Sequence, residues 1–224
     1  MMVGKAVNES YDEDDYDDDL EDEIVEEDSI FEAKLEPTNE GYAIAKASIT
    51  KMCEFLSQQF EDYNYKTIIP CNLYGEYDKF GENNSHMIPA VIKKLHNAKI
   101  NNIEEIEIWG DGTARREFMF AKDLAQMISY IIKNFNSMPY IMNTGLGYDY
   151  SINEYYEIIA KIVGYTGRFK HDLSKPTGMK QKLLDITRQT EFGIKSKFKY
   201  LLLSFSSLSP SEVQKRALPP HSSI

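Results

Sequence analysis

A chain of 224 residues, 42% hydrophobic and 12% aromatic, holds enough apolar material for one substantial core, or one and a half domains. Its net charge of −11 belongs to a tail: residues 1–28 carry 14 acids against Lys5, a net of −13, which leaves +2 for the other 196 residues. That balance, without any basic stretch interleaved with aromatics, argues against a nucleic-acid surface, and two cysteines are too few for a disulfide framework.

Residues 1–10 lack the apolar run of a secretory signal, and no apolar run approaches a membrane span, Leu201-Leu202-Leu203 being only three residues. A soluble cytoplasmic protein is expected. Residues 8–28 form a run of like charge that cannot bury enough apolar surface to offset ordering entropy. They read as a disordered tail, with Leu20, Ile24 and Val25 able to form a short helix against a partner. The turn at residues 37–41 delivers a helix to about residue 60, with Ala45, Ile49, Met52, Cys53 and Leu56 on one face. Residues 66–70 read as a buried strand and 71–85 as loop. A helix follows Pro89 and carries Val91, Ile92, Leu95 and Ala98. Residues 106–109 form a strand that ends in the Gly110-Asp111-Gly112 turn. Asp123 opens a helix with Leu124, Met127, Ile128 and Ile131 apolar, and residues 140–143 are strand-like. Ser151-Ile152-Asn153-Glu154 is a capping box that starts a helix to about residue 163. Strands alternating with helices predict an α/β fold with parallel pairs. The expected organisation is an acidic tail at 1–28, a catalytic and substrate-binding region at 29–199, and a poorly ordered Ser- and Pro-rich end at 200–224.

Tyr42 and Lys46 stand four residues apart and share a helix face. The Lys46 ammonium favours the phenolate form of Tyr42, and such a phenol can exchange a proton with a carbonyl or alcohol oxygen. Lys46 can also bond a ribose hydroxyl. Taken alone, the spacing is a weak signal, since most such pairs are surface or half-buried helix pairs. His86 is by itself a hydrogen-bonded loop histidine or a proton donor. Trp109, the one tryptophan, either packs a strand end or meets a ligand. The planar guanidinium of Arg116 suits pyrophosphate oxygens. Arg115 reads as a surface charge, and Lys94 as a solvated cation on an exposed helix face.

Motif order narrows these alternatives. Residues 35–46, Leu-Glu-Pro-Thr-Asn-Glu-Gly-Tyr-Ala-Ile-Ala-Lys, resemble the start of the active-site helix of GDP-L-fucose synthases, which are extended short-chain dehydrogenase/reductases. Pro70-Cys71-Asn72-Leu73-Tyr74-Gly75 resembles their next strand end, and Asn84-Ser85-His86-Met87-Ile88-Pro89 their histidine motif. Trp109-Gly110-Asp111-Gly112-Thr113-Ala114-Arg115-Arg116-Glu117-Phe118 resembles their sugar-nucleotide loop. Asn143 to Gly147, the capping box and Lys175-Pro176-Thr177-Gly178 follow in order. The likeness covers residues 30–194. It implies an incomplete Rossmann-like doubly wound parallel sheet plus a smaller C-terminal substrate-binding α/β portion. The implied activity is epimerisation of GDP-4-keto-6-deoxy-D-mannose at two carbons, then reduction of its ketone with NADPH to give GDP-L-fucose. By the same resemblance Tyr42 protonates the reduced oxygen, Lys46 tunes Tyr42 and holds ribose, and His86 donates the proton in epimerisation near the cofactor. Pro70, Asn72 and Leu73 would contact the nicotinamide end of NADP(H), and Lys94, Trp109 and Arg116 the GDP-sugar. It also implies a homodimer through the Tyr42/Lys46 helix, with which apolar surface on Ala47, Ile49 and Phe55 is compatible.

Three departures stand out. Cys71 replaces the usual Thr, and Thr177 an Asp that touches substrate, so that role is not carried over. Gly145-Leu146-Gly147 lacks the third glycine of a dinucleotide fingerprint. The family's Gly-rich loop, catalytic serine and catalytic cysteine precede residue 30, and residues 1–28 contain none of them; Cys53 and Cys71 are not replacements. Little or no NADPH binding is therefore expected of this chain alone. The alternative readings are an inactive fragment of the nucleotide-sugar epimerase/dehydratase family, a piece complemented by a separate polypeptide, or an interaction module working through its acidic tail.

Overall fold

The computed structural model describes residues 24–31, 40–75, 78–79, 85–175 and 179–195. In chain order the elements are β1 (Ile24–Val25), a 3-10 turn (Asp28–Phe31), α1 (Glu40–Gln59), β2 (Thr67–Pro70), β3 (Asn72–Tyr74) and α2 (Met87–Ile100). Next come β4 (Glu105–Trp109), β5 (Arg115–Arg116), β6 (Phe118–Phe120), α3 (Ala121–Lys133), β7 (Ile141–Thr144) and β8 (Tyr150–Ser151). The order ends with α4 (Ile152–Val163), β9 (Arg168–Asp172), β10 (Gln181–Leu184) and α5 (Thr187–Glu191). Parallel pairing dominates: β2 with β7, β3 with β6, β4 with β9, and β10 with both β1 and β5. The β5–β8 pair is antiparallel. Parallel partners need long crossovers, and here helices supply them. This is the α/β class that the alternation predicts.

Two cores divide the molecule. One joins α2 and α4 over β4 and β9, through Ile88, Leu95, Ile106, Ile108, Tyr155, Ile159 and Val163. The other packs α3 against the β2–β7 side through Met119, Leu124, Met127, Ile131 and Met142. In α3 the buried Leu124, Met127 and Ile131 follow helical spacing. The cap of α4 is the one read from sequence. The Ser151 hydroxyl accepts from the Glu154 amide at 3.1 Å, and the Glu154 carboxylate accepts from the Ser151 amide at 2.7 Å. Gly164, with φ of 74°, closes the helix. Ser151→Ala is expected to lower stability by about 0.5–2 kcal/mol in chemical denaturation. The bond from the Ser151 amide, above all, holds the Glu154 carboxyl below its ordinary range. Its folded-state value is depressed, so this stabilisation is complete above the unfolded-state value and fades as pH falls through the lowered one.

The structure departs from expectation in three places. Residues 24–28, assigned by composition to the tail, belong to the fold. Ile24 and Val25 pair with Leu183 and Leu184, and the 3% exposed Glu27 accepts from the Asn143 amide at 2.8 Å. Arg188 bridges Glu27 at 3.4 Å and Asp28 at 2.7 Å. Charge averaged over a long run hides the few acids that find buried partners; no helix forms at Ile24 and Val25. Residues 1–23 and 196–224 lie outside the described residues, as do the outer parts of the tail and end assigned from sequence. Second, the predicted loop 71–85 contains β3, whose three residues pair with the distant β6. Third, α1 buries only Thr50 among its side chains, and Ile49 and Met52 on its predicted apolar face are more than half exposed.

Candidate active site

The first turns of α1 present the tyrosine–lysine pair. Tyr42 is 67% exposed, and the Lys46 Nζ lies 5.5 Å from the centre of its ring. The helix spacing therefore does bring the cation to the phenol. Among the described residues neither side chain has a hydrogen-bond partner, so both polar heads remain available to a ligand.

The chain then forms β2, which ends at the exposed Pro70 opposite Thr144 of β7. Ligands of open α/β sheets bind beyond such carboxyl ends of parallel strands. Cys71 continues the pair, its amide donating to the Thr144 carbonyl at 3.0 Å. Burial, reinforced by Glu117, pushes the Cys71 thiol far up, so it is no nucleophile. The buried Thr144 Oγ1 has no partner among the described residues. Asn72 is exposed and Leu73 half-buried; the Asn72 amide donates to the Glu117 carbonyl at 3.1 Å. That bond ties the strand end to the Arg116–Phe118 segment.

His86 occupies the N-cap position of α2 with an exposed side chain, and its carbonyl accepts from the Ala90 amide at 3.1 Å. Pro89 lies in the first helical turn, where its missing N–H leaves no gap, so the helix begins two residues before it. Lys94, on the same helix, is half-buried and donates to the Glu107 carbonyl of β4; burial lowers its ammonium's pKa. It is more than the solvated cation its sequence position suggests.

Trp109 ends β4 at 65% exposure, which removes the core-packing alternative. The Lys175 Nζ sits 5.7 Å from the indole centre. After Trp109, Gly110 and Gly112 take φ of 67° and 72°, and Asn153 of α4 donates to the Asp111 carbonyl at 3.0 Å, fixing the turn. Arg116 is half-buried in β5, with Nη1 donating to the Arg115 carbonyl at 2.7 Å. Burial lowers its pKa and Asp149 opposes that shift, leaving a cation with donors to offer. Arg115 is not a plain surface charge: it grips the buried Asp149 at 2.7 Å and reaches Glu154 at 3.5 Å.

Sequence reasoning missed Glu117, which is 1% exposed. Its carboxylate accepts from the amides of Leu146, of Gly147 at 3.1 Å and of Leu184 at 3.2 Å. Gln189 takes the Gly145 amide at 2.9 Å. The Gly145–Gly147 amides are thus occupied and cannot cradle a phosphate, in line with the incomplete fingerprint. A glutamate beside the Phe118-Met119-Phe120 run was the available signal. Tyr42 and Lys46 on α1, and Pro70 and Asn72 at the end of β2 and the start of β3, are all exposed.

The pattern of the NAD dependent epimerase/dehydratase family matches residues 16–145. The chain belongs to that family. Among curated members, the GDP-L-colitose synthase of Yersinia pseudotuberculosis is 58% identical over 171 residues, covering 76% of this chain and 56% of the relative. The GDP-L-fucose synthase of Azorhizobium caulinodans is 44% identical over 188 residues, covering 80% of this chain and 60% of the relative. The chain thus spans a little over half the length of these epimerase/dehydratase relatives. A solved structure of GDP-mannoheptose C4 reductase from Campylobacter jejuni with NADP bound superposes with a TM-score of 0.68 at 28% identity, over 78% of this chain and 60% of that one.

Proposed function

We propose that this chain supplies the proton-transfer and substrate-binding part of a GDP-sugar epimerase and reductase, converting GDP-4-keto-6-deoxy-D-mannose to GDP-L-fucose. The observation that carries it is the solvent-facing Tyr42 paired with Lys46, in a chain 58% identical to a GDP-L-colitose synthase. Exposed Trp109 at the end of β4 and half-buried Arg116 in β5 support the nucleotide part.

In this reading Arg116 and Lys94 neutralise the diphosphate and the Trp109 indole stacks on guanine. His86 delivers a proton to the sugar carbon during epimerisation. The Tyr42 phenol gives its proton to the oxygen of the reduced ketone, and the Lys46 ammonium stabilises the phenolate left behind. Lys46, Pro70, Asn72, Leu73 and His86 would hold the nicotinamide-ribose end of NADP(H). That cofactor, when bound, supplies the hydride.

A homodimer through α1 completes the proposal. Ile49, Met52 and Phe55 are 54–59% exposed on one helix, an apolar surface that a second copy would cover. The free thiols of Cys53 and Cys71 suit a reducing cytoplasm, and no helix among the described residues is long and apolar enough to cross a membrane.

Because Trp109 is the sole tryptophan, its fluorescence reports on the nucleotide site directly. GDP is expected to change that emission saturably, and Arg116→Ala to weaken binding about tenfold or more, the loss of a charge-assisted bond. A flat titration with folded protein would sink the GDP-sugar reading.

A further inference from the structure

Glu117 lies at the junction between β5 and β6, where the chain passes from one set of strand partners to another. β5 pairs with β10 and β8, whereas β6 pairs with β3. The side chain reaches both sides of that junction. One carboxylate oxygen takes the Leu146 and Gly147 amides of the turn after β7, and the other takes the Leu184 amide at the end of β10. The Glu117 carbonyl accepts from Asn72 on β3 at 3.1 Å.

The chemistry explains why a carboxylate stands in so buried a place. Burial raises the pKa of Glu117, and its three amide bonds pull the other way. A glutamine of equal volume would offer one accepting oxygen and set its NH2 against a backbone N–H. The surrounding turn is shaped to the group as well: a Cβ on Gly145 would fall 2.6 Å from Glu117 Oε1.

Arg116 is the residue immediately before this anchor. Its own carbonyl accepts from the Tyr155 hydroxyl at 2.9 Å, and its backbone lies in register between Lys182 and Tyr150. We propose that Glu117 is a positioning residue for the substrate arm, fixing where the Arg116 guanidinium points and holding it in register with the strand end that carries Asn72. A planar guanidinium fork is sensitive to placement in a way a point charge is not. The proposal rests on the reading of Arg116 as a diphosphate ligand.

A double-mutant cycle in the full chain tests it, with GDP as the probe and Trp109 emission as the readout. Glu117→Gln is expected to weaken GDP binding about tenfold or more, since a misplaced contact is costly. In an Arg116→Lys background the same change should cost less than about twofold, because residues acting as one unit are not additive. Equal losses in both backgrounds, with the folded fraction fixed by circular dichroism, mean that Glu117 is only a prop and overturn the proposal. Gly145→Ala provides a second route should Glu117→Gln fail to fold, since it crowds the carboxylate and keeps its charge. It should reproduce both the loss and its dependence on Arg116; unchanged GDP affinity in that variant also overturns the proposal. Failure of the underlying reading shows separately, as a wild-type chain that does not bind GDP at all.

Discussion

Tyr42→Phe is expected to slow ketone reduction by about 10²–10⁴-fold, the usual contribution of a positioned general acid. The substitution removes one oxygen from a side chain that is 67% exposed and packs little, so fold and GDP affinity should not change. The measurement is substrate-dependent NADPH oxidation, with the part of the Yersinia relative that this chain does not cover supplied in trans where the 224-residue chain turns over too slowly by itself. The physical demand is simple. Reduction of a ketone leaves charge on oxygen, and a proton must arrive there; Lys46 makes the phenol a better donor by stabilising the anion that remains. Lys46→Met should therefore lower the rate. A Tyr42→Phe rate within about threefold of the parent, well under the general-acid range, removes Tyr42 from the chemistry and leaves the pair as surface decoration.

The sequence was most legible where the signal is local. The capping box at Ser151 and Glu154 depends on residues three apart, and the structure forms both of its bonds. Helices α1, α2 and α4 and strands β2, β4 and β7 were likewise visible from turns and apolar spacing. What escaped notice is held by distant partners. β5 and β8 have two residues each and β3 and β6 three, so no periodicity can declare them. Glu117 meets amides 29, 30 and 67 positions downstream, a cluster that only the folded chain assembles.

The apolar stripe of α1 teaches a different lesson. Periodicity in Ala45, Ile49, Met52 and Leu56 says that a face is to be covered, and says nothing of what covers it. Among the described residues the helix is left largely open, and the exposed Tyr42 and that stripe share it. Site and interface are thereby coupled: a partner docking on Ile49, Met52 and Phe55 would brace the helix that aims Tyr42. The sheet end at Pro70 and the strand β5 that carries Arg116 are braced from within, through Asn72 and Glu117.

His86 offers the sharpest separation of the two proposed chemistries. Epimerisation breaks a C–H bond beside the ketone and re-forms it on the opposite face, so the new hydrogen comes from solvent through a donor. That exchange needs no net reduction. In D2O, His86→Asn is expected to cut deuterium uptake into the keto-sugar by about 10²–10⁴-fold, while Tyr42→Phe leaves it nearly intact. Mass spectrometry of the recovered nucleotide sugar reads both variants in one experiment. The reasoning is positional: His86 caps α2 with its ring exposed, on the helix that also carries Lys94, whereas Tyr42 rides on α1. Two proton donors on separate elements can serve different atoms of one substrate. An asparagine keeps polarity and size at the cap and cannot carry the proton. The reverse pattern, with exchange lost in Tyr42→Phe and retained in His86→Asn, would exchange the two roles and require the sugar to lie the other way between α1 and α2.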